Sequence, residues 1–310
     1  MRRRSLWYFV KNVIAATCIC ASSQALFAAN FTLPAQGNAL IGEINYISTN
    51  HGDTPASIAS RYNIGQNVII SANPGVKENY AMPGGRYLKI PTRFILPPLP
   101  HKGIIVNLPE MRLYYYPGNG GEVMTFPIGI GRIGKTIPIE NTSIARKVVN
   151  PTWTPPEDIR EFNRQQGIEL PDVMPPGPDN PLGPYAIYLR IPTFLIHSTI
   201  FPESIGRRAS FGCIRMNETD IKQFFPIVTA GIPVIILDMP NKVGWDSGHL
   251  FLEAHPPLEE RESSSSLTSI VSEIQRALPA DKVTLINWQL VSYLSSQPDG
   301  VPHDIGFNIN

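Results

Sequence analysis

Proline limits what this chain can fold into before any other residue is considered. It occupies 31 of 310 positions, about twice the usual ~5% share, and it breaks helix interiors and central strands alike. The expectation is short elements, many turns and few long helices. Apolar residues make up 43% of the chain and charged residues only 16%, a composition that supports a packed core rather than disorder. The length suits one large domain or two to three small ones.

The first 29 residues have the layout of an export signal: three arginines, an apolar run, then small residues around Ala25–Ala29. The run after Lys11 is too short and interrupted for a membrane span, which needs about 20 residues. Loss of Arg2, Arg3, Arg4 and Lys11 with such a segment takes the net charge from +1 to −3. That balance offers no electrostatic case for nucleic acid. Cys18 and Cys20 fall in the same segment, leaving Cys213 as the one cysteine beyond it. A lone thiol cannot form an internal disulfide and is a liability in an oxidising compartment, so its retention needs a reason.

Residues 43–92 read as a unit of strand, helix, helix, strand. "INYIST" is strand-like. "GDTP" supplies Asp53 or Thr54 as a helix N-cap with Pro55 at the first helical position. Ile58, Ala59 and Tyr62 follow at helical spacing. "GQNVIISANP" is a second short helix stopped at Asn73-Pro74, and "RYLKIP" closes the unit. Residues 93–100, "RFILPPLP", read as a stiff proline-rich spacer.

Strand patterning dominates from 101 to 238: "GIIVNLPEMRLYYYP" as two strands about a turn, "NTSIARKVV" and "YAIYLRIPTFLIHST" as further strands, and "IPVIIL" as a buried one. The glycines of "VMTFPIGIGRIGKTIP" lack the dinucleotide-loop pattern and suit tight strand turns. Residues 151–184 stand apart. One helix at about 157–166 is surrounded by proline, and structured loops of that length are usually functional; we read it as a lid, with Trp153 as its packing anchor or a substrate wall. Asp158, Glu161 and Arg164 on that helix read as a solvated face. "ETDIKQFFPIV" is a helix packed on the strands. The extension at 239–310 contains a serine-rich break and two amphipathic helices, "LTSIVSEIQRAL" and "INWQLVSYLSS", with no visible chemistry, and "GWDSGHLFLEAHPPLEE" is expected to pack back on the strand-rich unit.

Chemistry concentrates in "IHSTIFPESIGRRASFGCIRM". A thiolate is a strong nucleophile, but a free thiol of pKa about 8.5 is only a few per cent ionised at neutral pH. His197, at the end of an apolar strand, is placed to take the proton of Cys213 and hold the thiolate as an ion pair. Gly212 allows close approach of backbone to substrate, and the Cys213 N–H is a natural oxyanion donor. Arg215, two residues on, shares a strand face with Cys213; it can lower the thiol pKa or bind a substrate carboxylate. Ser210 is placed to orient His197 or a substrate. The other histidines (51, 101, 249, 255 and 303) lie in turns or beside proline without ligand spacing, so neither a metal nor another cofactor is expected.

The run "IHST…SFGCIRM" closely resembles the signature of the L,D-transpeptidase catalytic domain, and the resemblance extends over about 102–238, including "NPTWTPPEDIR", "GPDNPLGPYAIYL" and "GHLFLEAHPPLEE", which look like the branch that works on Gram-negative envelopes. Residues 43–92 resemble a LysM module through Gly52-Asp53-Thr54, the 58–62 helix, Asn73-Pro74 and Ile90-Pro91. The resemblance implies a mainly β catalytic domain, a curved sheet or sandwich with one packed helix and a lid, beside a small α+β (βααβ) glycan-binding module whose ligand lies along the loops at 51–55 and 73–80. It also implies a periplasmic enzyme without cofactor, in which Cys213 attacks the diaminopimelate–D-alanine bond of a tetrapeptide stem, aided by His197. The acyl group then passes to an amine on a second stem or on an envelope lipoprotein lysine. The family places glycine after the histidine and uses that residue's carbonyl to orient the imidazole; here it is Ser198, which keeps the carbonyl and would be strained if the site required positive φ. The motif also fits a carboxypeptidase or hydrolase using the same thioester, and the LysM-like unit fits a non-catalytic wall-binding protein.

Overall fold

In the computed structural model the described residues are 29–118, 120–135, 137–261 and 266–309. The export-signal reading falls on residues outside them, apart from Ala29, and so does the serine-rich break at 262–265. Ala29 opens β1 (Ala29–Thr32).

The LysM-like unit is built from β2 (Leu40–Ser48), α1 (Pro55–Tyr62), α2 (Gln66–Ala72) and β3 (Tyr87–Ile95). Thr54, not Asp53, caps α1: its side chain accepts from Ser57 N while the Ser57 hydroxyl accepts from Thr54 N, with Pro55 at N1. Asp53 instead pairs with Arg61 at 2.6 Å, and Asn63 ends the helix in a left-handed conformation (φ 51°). The antiparallel β2–β3 pair runs from Leu40↔Ile95 to Ser48↔Tyr87, so the unit is wider than 43–92. The spacer reading is corrected accordingly. Arg93, Phe94 and Ile95 belong to β3, and Phe94, Ile95 and Leu96 are buried, because Phe94 and Leu96 join the module's core.

The strand-rich unit comprises β4 (Gly103–Asn107), β5 (Arg112–Tyr116), β6 (Glu122–Gly131), β7 (Asn141–Val149), α3 (Glu157–Arg164), β8 (Tyr185–Leu189), β9 (Leu195–Ser198), β10 (Arg208–Ser210), β11 (Ile214–Met216), α4 (Glu218–Ile227) and β12 (Pro233–Leu237). Strands run β6-β11-β9-β8-β7-β12-β4-β5, and β5 pairs again with β6. The sheet therefore closes into a barrel-like ring, where the sequence suggested a curved sheet or sandwich. Strand β6 makes the closure. Its first half pairs with β5 (Leu113↔Phe126) and its last residues with β11 (Arg215↔Gly129), so one strand serves both edges and neither is left unpaired. Every residue of β4 and β5 is buried, as expected of strands covered on both faces. Helix α4 packs Ile221 and Phe224 into the main core, Phe224 edge-on to Tyr115.

The C-terminal stretch is a third folded unit: β13 (Asn241–Asp246), β14 (His249–Ala254), α5 (Leu267–Ala277), β15 (Val283–Ile286), α6 (Trp288–Ser296) and β16 (Pro302–Ile309), with sheet order β13-β14-β16-β15. The β13–β14 hairpin, expected on the strand-rich unit, leans chiefly on β2 and β3. Ala39 and Trp245 share a backbone hydrogen bond, Arg93 pairs with Asp246 at 2.7 Å, and Ile95 N donates to Glu253 at 2.6 Å. The hairpin also reaches the barrel-like unit, as expected: Lys242 on β13 pairs with Glu110 at 2.9 Å, and beyond the hairpin Glu259 and Glu260 clasp Arg208. Among the described residues no helix is long and apolar enough to cross a membrane.

Candidate active site

Strand β9 carries Ile196, His197 and Ser198 into the interior, all buried. Parallel to it, β11 sets Arg215 opposite His197 and Met216 opposite Ser198, which brings Arg215 and His197 to one face. Cys213 lies at the head of β11 beside them. His197, Cys213, Arg215, Ser210 and Trp153 all line one cleft of about 980 Å³.

The backbone turn before the thiol is forced. Gly212 has φ +114°, and a Cβ there would meet Phe194 at 2.7 Å and the Lys135 carbonyl at 3.0 Å, so only glycine fits. Ser210, expected to orient His197 or a substrate, turns its hydroxyl to neither of these partners here. Its hydroxyl donates to the Cys213 carbonyl (2.6 Å) and accepts from Gly212 N (3.1 Å), stapling the nucleophile's own turn. The Cys213 thiol points at the carbonyl of Thr193, 3.7 Å away. Thr193 is a β-branched residue held at φ +71°, a conformation that costs on the order of 1–3 kcal/mol and needs surrounding structure to hold it.

His197 Nδ1 lies 2.5 Å from the Ser198 carbonyl. A carbonyl only accepts, so Nδ1 carries the hydrogen and Nε2 keeps a free lone pair for a proton. Ser198 is not among the residues with left-handed backbone, so serine is accommodated without strain. Its hydroxyl donates to Leu182 O and accepts from Tyr185 N, both at 3.0 Å. The compensation lies at Gly183 (φ +60°), where a Cβ would come within 2.6 Å of the Ser198 hydroxyl.

Burial first, and the Arg215 charge second, hold the His197 imidazole down at about 4; burial pushes the Cys213 thiol up. Both shifts favour the neutral forms, thiol and imidazole, over the ion pair in this low-dielectric pocket.

The 151–184 segment forms one wall of the cleft. Trp153 and Met174 exchange backbone hydrogen bonds (2.9 and 2.7 Å), and buried Asn180 donates to Pro151 O and accepts from Leu182 N. Glu161 and Arg164 pair in solvent, and Asp158, exposed like them, also pairs with Lys135 at 2.5 Å. The Arg132 guanidinium lies over the rings of Phe162 on α3 and Phe211 beside the nucleophile, 4.1 and 3.5 Å from their centroids, and the two rings meet edge-on. Lys135, Thr193 and Phe194 also line the cleft and were missed as site residues; for Lys135 the signal was the glycine-rich run 129–135, read only as turns.

His255, beside Pro256, is more than a surface residue. It is buried and bonds Glu253 at 2.7 Å. With Glu110 these residues bring three ligand-type atoms within 4.8 Å. The Lys242 ammonium already stands between the carboxylates, 2.9 Å from Glu110 and 2.8 Å from Glu253, so the donor set is neutralised by a side chain.

Residues 101–236 match the family described as L,D-transpeptidase catalytic domain, and residues 50–91 match the LysM domain. The probable L,D-transpeptidase YcfS of Escherichia coli K12 is 40% identical over 265 residues, covering 84% of this chain and 82% of that protein. The chain belongs to the L,D-transpeptidase family. Two further relatives from the same organism, the probable L,D-transpeptidases YbiS and ErfK/SrfK, are 39% and 38% identical over 257 residues, each match covering 81% of this chain and 82% of the relative. The protein is thus a peptidoglycan L,D-transpeptidase, mainly β in its catalytic domain, that carries a LysM domain. The cleft between β9, β11 and the 151–184 segment is where the transpeptidase signature falls.

Proposed function

We propose that Cys213 is the acyl-carrying nucleophile of this transpeptidase and that His197 serves it as general base, then general acid. The observation that carries this reading is the His197 Nδ1 hydrogen bond to the Ser198 carbonyl, which leaves Nε2 as the proton acceptor in the cleft that holds the thiol. The sulfur attacks the carbonyl between diaminopimelate and the terminal D-alanine of a tetrapeptide stem. His197 takes the thiol proton and gives it to the departing D-alanine nitrogen, leaving a thioester. The Cys213 N–H donates to the developing oxyanion. Arg215 faces the site as partner for a substrate carboxylate, while Ser210 and Gly212 fix the turn. An amine on a second stem or on a lipoprotein lysine then resolves the thioester.

The 151–184 segment acts as a lid. Trp153 and Phe162 roof the cleft with apolar surface, which favours an amine over water as acceptor. The catalytic domain spans 101–238 and the LysM unit runs from β2 through β3, with its loops at 51–55 and 73–80 on the glycan. Residues 1–29 direct the chain to the periplasm. The test is purified protein on tetrapeptide-stem muropeptides with product analysis. Wild type should release D-alanine and form cross-linked dimers, Cys213→Ala should do neither, and His197→Ala should slow both by ~10²–10⁴. Turnover by Cys213→Ala equal to wild type overturns the assignment.

A further inference from the structure

Lys135 stands next to the nucleophile without belonging to its signature. A Cβ on Gly131 would fall 2.0 Å from the Lys135 carbonyl and 3.0 Å from Gly212 Cα. Residues 131, 135 and 212 therefore stack backbone on backbone, and the Lys135 side chain starts one residue from Cys213. It runs along the cleft wall to meet Asp158 of the lid helix at 2.5 Å. This pair differs from the cations around it. Arg132 is committed to two rings, and Arg215 is mostly buried beside His197. Lys135 and Asp158 are 39% and 47% exposed; such a pair is weakly held and can exchange partners. A cation and an anion side by side at the mouth of a cleft are complementary to a ligand bearing the same two charges.

We propose that Lys135 and Asp158 form the acceptor subsite, reading an amine acceptor that also carries a free carboxylate. The acceptor's carboxylate takes Lys135 and its ammonium takes Asp158, replacing the empty pair charge for charge. The inference rests on the transpeptidation reading above. In the transfer, the ammonium first gives one proton to solvent. The amine attacks the thioester carbonyl, the C–S bond breaks as the amide C–N bond forms, and the amine's second proton passes through His197 to the Cys213 sulfur. Two acceptors have this chemistry: a diaminopimelate end, with amine and carboxylate on one carbon, and a C-terminal lysine, whose carboxylate lies beyond its side chain.

The experiment supplies the full chain with a tetrapeptide donor and one of four acceptors: a tripeptide stem, its diaminopimelate-amidated counterpart, a peptide ending in free lysine, and the same peptide as the C-terminal amide. The readout is the preference for each carboxylate over its amide, a ratio internal to each variant that cancels any change in acylation. Wild type should prefer at least one carboxylate by about tenfold, in line with a charge-assisted contact, and the acceptor that shows it identifies the source. Lys135→Met should bring the ratio close to one. Asp158→Asn should weaken use of the amine while keeping the preference. The double exchange Lys135→Asp with Asp158→Lys restores a lid ion pair but turns the acceptor's amine away from the thioester, so it should remain poor. Equal use of carboxylate and amide by wild type overturns the inference. So does a preference retained in Lys135→Met, or regained in the double exchange, which would make the pair a lid latch only. Failure of wild type to release D-alanine from the donor is a separate result: it sinks the transpeptidation reading, and this inference with it.

Discussion

Lys242 and His197 are both buried, at 1% and 4% exposure, and each carries the decisive proton of a polar cluster. Their surroundings differ. The Lys242 ammonium reaches Glu110, Glu253 and the Tyr114 hydroxyl. Glu253 also binds His255 and Ile95 N, and Glu110 accepts from Tyr114 and Asn107. Burial pushes the Glu110 carboxyl up, but Lys242, His255 and Arg112 together outweigh it and hold it at about 2. This knot joins β3, β5, β13 and β14, and so all three folded units. At His197 the one neighbouring charge in play among the described residues is Arg215, of the wrong sign. A buried cluster saturated with partners is a clamp; one starved of them keeps its proton mobile.

The largest expected effect breaks the clamp. Lys242→Met leaves Glu110 and Glu253 buried without their ammonium and should cost about 3–5 kcal/mol, as removal of one partner of a buried pair does. Chemical denaturation measures it, and a loss under about 1 kcal/mol would show that the knot holds nothing together.

The second prediction uses pH to separate the clusters. The His197 imidazole binds its proton at about 4 in the fold and near 6.5 unfolded. The unfolded chain therefore takes up a proton first as pH falls, and stability is lost from 6.5 down to 4 by about 3 kcal/mol. Asp220 on α4 does the reverse. Burial raises its carboxyl to about 7, so the fold keeps a proton that the unfolded chain releases, and stability is lost as pH rises from about 4 to 7. The two slopes oppose each other in wild type. Asp220→Asn should raise stability at pH 7 and expose a melting temperature that falls on acidification toward 4. Parallel profiles for variant and wild type would contradict the assignment of these two groups.

The smallest effect concerns scaffolding inside the cleft. Ser198→Gly removes two hydrogen bonds at 3.0 Å and should cost about 1–2 kcal/mol. It leaves the carbonyl that orients the imidazole, so Cys213 acylation by a carbapenem should slow far less than in His197→Ala. Equal slowing would mean that the serine hydroxyl, not the main chain, sets the imidazole.

The local and the long-range parts of this picture were unequally legible. The Thr54–Pro55 helix start, the buried runs of β4 and β12 and the glycine before Cys213 follow from neighbours in sequence, because caps, pleats and tight turns are short-range. Barrel closure depends on β6 pairing with both β5 and β11, which no periodicity encodes. The three prolines in 97–100 masked the strand that ends at Ile95. The strands of the C-terminal unit include four-residue β15, too short to stand out. Lys135 meets Asp158 across 23 positions, and Glu110 meets Lys242 across more than a hundred, so neither pairing is visible until the fold makes it. The neutral state of His197 and Cys213 was hidden for the same reason: burial is a property of the assembled cleft.

The Gln66 side chain of α2 donates to the carbonyls of Glu203 (2.5 Å) and Ile205 (3.4 Å). A Cβ on Gly206 would lie 2.8 Å from Gly65 Cα. The LysM domain is thus seated, main chain on main chain, against the loop that leaves the catalytic strand. It is no tethered float. Whatever sugar strand this domain grasps stands at a fixed bearing and distance from the thiol, so the enzyme surveys the wall with a set footprint, and the stems within its reach are chosen by geometry before any peptide is read.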